Sequence, residues 1–243
     1  MVQTLTATQK PRISFNKLCE YPHVSPSARR RIAREQKFSA EFQVSYYQAA
    51  LHALFRATDL ESGLLDHEPL RTVAARLESE PVEGKFQKSR QKNNIWALRL
   101  LARMAPQIIL PPREHVKVMQ KATMEREGVN ISVRPEFITY NRQLNTFALT
   151  KFRFSKSPVS ADAAETGVVL LLEFAKEARF AGRLLDLEHT TIIDVFSGSI
   201  IHGHMVGRHR LVEMNTALRE LALIWPDLKP PGNRHNRLDG PGG

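Results

Sequence analysis

Two charged residues raise the first chemical question in this chain. Glu136 sits in "RPEF" and Lys151 in "ALTKF". A carboxylate near an ammonium is the minimum equipment for metal-assisted phosphodiester cleavage. The acid holds a divalent cation that activates water, and the side-chain cation stabilises charge on the phosphate. Magnesium suits that task because it takes carboxylate oxygens and keeps several waters. The flanking pattern would bring the pair together. Val129, Ile131 and Val133 alternate with Asn130, Ser132 and Arg134, which predicts a half-buried strand. "NRQLNT" reads as a polar turn. Beyond it, Phe147, Leu149, Lys151, Arg153 and Ser155 fall on one face of a second strand, opposite Ala148, Thr150, Phe152 and Phe154. Glu136 is then read at the end of the first strand and Lys151 in the middle of the second. The same two charges on neighbouring strands also form an ordinary solvated cross-strand pair, worth roughly a few tenths of a kcal/mol.

An edge strand, a Gly128 turn, a strand with an acid near its end, a hairpin, and a strand carrying lysine before a helix form a recognisable order. It resembles the PD-(D/E)XK nuclease superfamily, and its RecB-type branch in particular, over about residues 116–196. The resemblance implies a Mg²⁺-dependent nuclease of DNA processing, repair or defence against mobile elements, with Glu136 as a metal ligand and Lys151 as the catalytic lysine. Three departures matter. The superfamily's usual Asp is Glu136 here. The second acid, two residues before the lysine, is Leu149, which cannot ligate magnesium. The following helix reads "AAETGVVLLLEF" and lacks the branch's usual Gln and Tyr. Glu165 or Glu173 on that helix would have to supply the missing carboxylate, with Glu136 and Glu165 as the first metal pair. Members of the branch also draw a histidine from an upstream helix, for which His52 is the helical candidate. The alternative on the same scaffold is a catalytically inactive DNA-binding or assembly subunit, in which Leu149 marks a lost site.

Charge supplies an independent line. Lys and Arg number 35 against 25 Asp and Glu, a net charge of +10, so the favoured partner is a polyanion, most simply nucleic acid and DNA in the first instance. In "SARRRIAREQK", Arg30, Arg34 and Lys37 share a helix face, with Arg29 and Arg31 beside them and Glu35 as the one acid. Such a stripe suits phosphate contacts, or is simply a solvated face. "GKFQKSRQKNN" adds Lys85, Lys88, Arg90 and Lys92, read as a loop suited to flexible backbone contact. A third reading makes the basic surface a docking site for an acidic partner protein. "HGHMVGRHR" holds His202, His204 and His209. His-x-His on a strand puts two rings on one face, with Asp194 the nearest candidate carboxylate. Asp194 itself lies in the apolar run "TIIDVF", where an acid needs a partner or a turn to cap.

The elements that must position these residues divide the chain. Residues 1–115 read as a mainly helical region with helices near 25–37, 39–57, 68–79 and 91–105. Residues 116–226 read as an α/β core with a mixed sheet flanked by helices, including helices at about 160–179 and 207–224. Residues 227–243 are Pro/Gly-rich and basic, the composition of a disordered tail. The class is therefore α/β (α+β). The single cysteine, Cys19, excludes an intramolecular disulfide and a cysteine-based zinc site, and fits a reducing cytoplasm. No stretch approaches the ~20 apolar residues needed to span a bilayer, and neither a nucleotide-binding glycine loop nor a serine elbow is visible.

Overall fold

A computed structural model describes residues 8–38, 46–59, 63–108, 115–117, 122–155, 159–178 and 182–230. The first residues of the helix expected near 39–57, including Ser39 as its N-cap candidate, and the residues beyond 230 lie outside this set. The described chain is mixed α/β, with a helical N-terminal region followed by mixed sheets and interspersed helices. In order, the elements are β1 (Arg12–Ser14), α1 (Phe15–Glu20), α2 (Pro26–Lys37), α3 (Gln48–Ala57), α4 (His67–Ser79) and α5 (Lys85–Met104). There follow β2 (His115–Lys117), β3 (Ala122–Arg126), β4 (Val129–Val133), β5 (Phe137–Asn141), β6 (Thr146–Arg153) and α6 (Ala161–Glu177). The chain continues with β7 (Leu184–Leu185), β8 (Thr191–Asp194), β9 (Ser199–His202) and α7 (His209–Ile224).

β6 is the axis of the main sheet. Its strands run in the order β2-β5-β6-β8-β9, and β7 pairs with the start of β6. β5 is antiparallel to β6, and β8 is parallel to it. A parallel pair needs a crossover, and α6 provides it. Both faces of β6 are covered, so Phe147 through Arg153 are all buried. Alternation then sends side chains to two different cores. Phe147, Leu149, Ile138 and Ile192 join α1, α6 and α7 on one side, while Phe152, Phe137, Ile193 and Val195 join α3, α4 and α5 on the other. A second sheet, β1-β4-β3, closes the first core; β1 lies parallel to β4, pairing Ile13 with Ile131.

Local chemistry sets the boundaries. Ser25 accepts from the Ala28 amide with Pro26 in the first turn of α2, and Ser160 caps α6 through the Ala163 amide. Two expectations change. The basic run 84–94 is not a loop but the first turns of α5. Gly84, at φ 82°, makes the turn that precedes it. The following Lys, Gln and Arg residues are good helix formers. The buried Asn94 amide then fastens the segment, donating to the Tyr46 and Arg90 carbonyls and accepting from the Ala50 amide. The first strand of the expected hairpin also divides. Pro135 lacks an amide to continue a ladder, so β4 stops at Val133 and Glu136 precedes a separate strand, β5. Among the described residues no helix is long and apolar enough to cross a membrane.

Candidate functional site

β5 and β6 bring Glu136 and Lys151 together as the spacing predicted. The Glu136 amide donates to the Thr150 carbonyl, which extends the ladder by one residue and aims the carboxylate at β6. Lys151 Nζ donates to Glu136 Oε1 at 2.6 Å, and the Phe152 amide donates to Oε2 at 2.6 Å. The pair is not solvated: Glu136 is 7% exposed and Lys151 8%. The Phe15 ring of α1 lies 5.7 Å from Lys151 Nζ and helps to close the site from above.

Two residues along the same face of β6, Arg153 forms a second buried set. Its guanidinium donates to Asp194 Oδ2 and to Glu20 Oε1, each at 2.9 Å. Asp194 is fully buried, and its other oxygen accepts from the Phe196 amide at 3.2 Å. Asp194 is thus both an ion-pair partner and the cap of the turn that follows β8. The sequence pattern does not pair Glu20 with Arg153. The signal was Arg153 sharing a face with Lys151 on a strand that also carries Phe147 and Leu149; cations on such a face need buried acids. Cys19, buried on α1 next to Glu20, feels the charges of both ion pairs. Burial pushes its thiol up to about 12, with Arg153 pulling it down and Glu20 pushing it up by smaller amounts.

The carboxylates of α6 are committed elsewhere. Glu165 accepts from Arg210 Nε of α7 at 2.7 Å. Glu173 accepts from Arg126 of β3 at 2.6 Å and pairs with Lys176. Burial works against the Glu173 charge, but the hydrogen bonds from Lys176 and Arg126 outweigh it and hold the carboxyl below its ordinary pKa. Leu149, where a second acid would sit, is fully buried opposite Ile138. Among the described residues no three His, Cys, Asp or Glu side chains gather into a group able to hold a metal ion. Glu136 has both oxygens engaged by protein donors, Leu149 offers no oxygen, and Glu165 and Glu173 answer to separate arginines. These residues do not fit a bound Mg²⁺. Glu136, Lys151, Arg153, Asp194 and Glu20 instead build an internally paired charge cluster on the α1 side of β6, buried except at Glu20.

The two basic segments fare differently. On α2, Arg29 pairs with Glu220 of α7 and donates to the Pro22 and Val24 carbonyls. Lys37 donates to the carbonyls of Trp225, Pro226 and Leu228, capping the end of α7. Arg31 pairs with Glu35, which leaves Arg30 and Arg34 exposed and without an ion pair among the described residues. On α5, Lys85, Lys88 and Lys92 are exposed and likewise without an ion pair among the described residues, while Arg90 turns toward Gln48 of α3 at 3.3 Å. His202 and His204 stack with ring centroids 5.7 Å apart, and His202 Nδ1 meets the Glu188 carbonyl at 2.7 Å. His209 opens α7. His52 lies on α3, in the helical layer that packs against the opposite face of the sheet from the Glu136–Lys151 pair.

No protein-family model matches this chain, and no curated protein sequence matches it.

Proposed function

We propose that this chain is a nucleic-acid-binding protein on a nuclease-like sheet, in which buried ion pairs stand where a metal centre would be. The observation that carries the reading is the outer face of α5. Lys85, Lys88, Lys92, Trp96, Arg99 and Arg103 recur at three- and four-residue intervals, so they form one stripe on the helix. The stripe is ~27 Å long at 1.5 Å per residue, about eight base-pair steps of a duplex. Arg99 shares its charge with Glu78 of α4; the other four cations have no ion pair among the described residues. Trp96 is 47% exposed in the middle of the stripe, held edge-on to Phe196. An indole among cations is the equipment of a single-strand platform, where bases stack and phosphates meet ammonium groups.

Fluorescence anisotropy with single- and double-stranded DNA and RNA tests this reading. The triple variant Lys85→Ala, Lys88→Ala, Lys92→Ala is expected to bind at least tenfold more weakly at low salt (roughly three lost phosphate contacts), with a shallower salt slope. Its circular dichroism should match the parent. Trp96→Ala is expected to weaken single-strand binding more than duplex binding. Unchanged affinity in the folded triple variant would overturn the proposal. Mg²⁺- or Mn²⁺-dependent cleavage by the parent would overturn the statement that ion pairs replace the metal centre.

A further inference from the structure

The helical layer holds a cleft that the α5 stripe does not use. It has a volume of about 310 Å³ and is lined from three helices. His52 and Arg56 come from α3, one turn apart on the same face; Arg76 comes from α4 and Arg90 from α5. Gln48 stands at the first turn of α3, and no acidic residue lines the cleft. Arg56 and His52 make no ion pair or hydrogen bond among the described residues. Arg90 is steadied by the Gln48 side chain at 3.3 Å. Arg76 pairs with Glu80 at 3.4 Å, but both partners are exposed, and an exposed pair of this kind contributes little and yields easily to a better anion.

Arg56 and His52 line this concavity without a counter-charge among the described residues, beside the guanidinium groups of Arg76 and Arg90. We infer that this cleft is a phosphate-binding site. Guanidinium forks match phosphate oxygens bidentately, and such pairs are stronger and more directional than a lysine contact. The volume exceeds that of a bare phosphate ion and falls in the range of small-ligand sites, so a nucleotide unit or the phosphorylated end of a strand fits the same chemistry. Arg90 turns into the cleft from the same helical turns that carry Lys88 and Lys92 on the outer face. The inference goes beyond the nucleic-acid reading, because free phosphate alone tests it.

Isothermal titration calorimetry of the full chain with inorganic phosphate, against chloride at matched ionic strength, is the experiment. Saturable binding is expected, weakened roughly tenfold or more in Arg56→Ala/Arg76→Ala and retained in Lys88→Ala/Lys92→Ala. Arg56→Lys, which keeps the charge but not the fork, should fall between. A 5′-phosphorylated oligonucleotide that binds more tightly than its 5′-hydroxyl twin assigns the cleft to strand ends. Equal binding of the two, with phosphate still bound, assigns it to a small phosphate compound. No saturable phosphate binding, or an Arg56→Ala/Arg76→Ala variant indistinguishable from the parent, overturns the inference while leaving the α5 proposal standing. Loss of the α5 effect with phosphate binding intact does the reverse.

Discussion

Lys151 is where a chemical role and an architectural role predict different measurements. If the ion pair with Glu136 is architectural, Lys151→Ala leaves a buried carboxylate without its cation. The expected cost is about 3–5 kcal/mol, read as a lowered urea midpoint. Glu136→Gln with Lys151→Met should recover much of it, because removing both charges also removes the desolvation penalty. A Lys151→Ala variant as stable as the parent would show that the pair supports nothing. Cys19 gives a second residue-scale test. Folded, its thiol keeps its proton up to about 12, against an ordinary value of 9.0. Above that ordinary value the unfolded chain binds fewer protons than the folded one, so stability falls as pH rises, by at most about 1.4 kcal/mol per pH unit. Cys19→Ala should flatten the alkaline limb of a stability–pH curve measured by urea denaturation; an unchanged limb would contradict the burial. The pairing of Glu136 with Lys151 was legible in the sequence, since strand, turn and strand leave little choice. Their burial was not, because "ISFNKLCEY" is too short and mixed to announce the helix that covers them.

At the scale of elements, α6 shows how closely the layers approach. A Cβ on Gly167 would stand 2.5 Å from Ile192 Cδ1 and 2.8 Å from Cys19 Sγ. Those neighbours belong to β8 and α1 and are almost fully buried, so they have little room to withdraw. Gly167→Ala gains ~1 kcal/mol of helix propensity, yet overpacking typically costs ~1–3 kcal/mol. A net destabilisation is expected by thermal unfolding, larger still for Gly167→Val; a stabilised Gly167→Ala would mean that α1 shifts freely on α6. Elements with strong end signals were legible: Ser25 and Ser160 cap helices as their types and positions suggest. Two elements were less so. The first turns of α5 have no apolar periodicity, and their helicity depends on Asn93 and Asn94 being buried against the segment before α3. In the sequence β4 and β5 read as one strand because both runs are apolar, although Pro135 stands between them.

Across the whole molecule, charge divides between the interior and the helix surfaces. The cations of β6 are buried on the α1 side with Glu136 and Asp194, and Glu20 reaches Arg153 from the surface, whereas α2 and α5 carry cations outward. In a chain of net charge +10, the two buried cations among the described residues, Lys151 and Arg153, are thus both paired with acids. Packing on the α1 side also makes the N-terminal residues indispensable to the second half. Ile13, Phe15, Leu18 and Cys19 sit in the same core as β4, β6 and α6, and β1 completes the smaller sheet. A fragment spanning 116–226 is therefore expected to lack dispersed amide signals in an NMR spectrum, and to regain them when a peptide covering 8–38 is added. A well-dispersed spectrum from the fragment alone would contradict this. Pattern reading could not find the β1–β4 pairing, because a three-residue strand holds too little alternation to name a partner more than a hundred residues away. The covered position of Cys19 has one more use. It is the chain's only thiol, and it faces the core from the buried side of α1. A thiol reagent added to the native protein reaches it only when α1 lifts, so the labelling rate times how often that occurs, and one colorimetric trace becomes a clock for the opening of the charged interior.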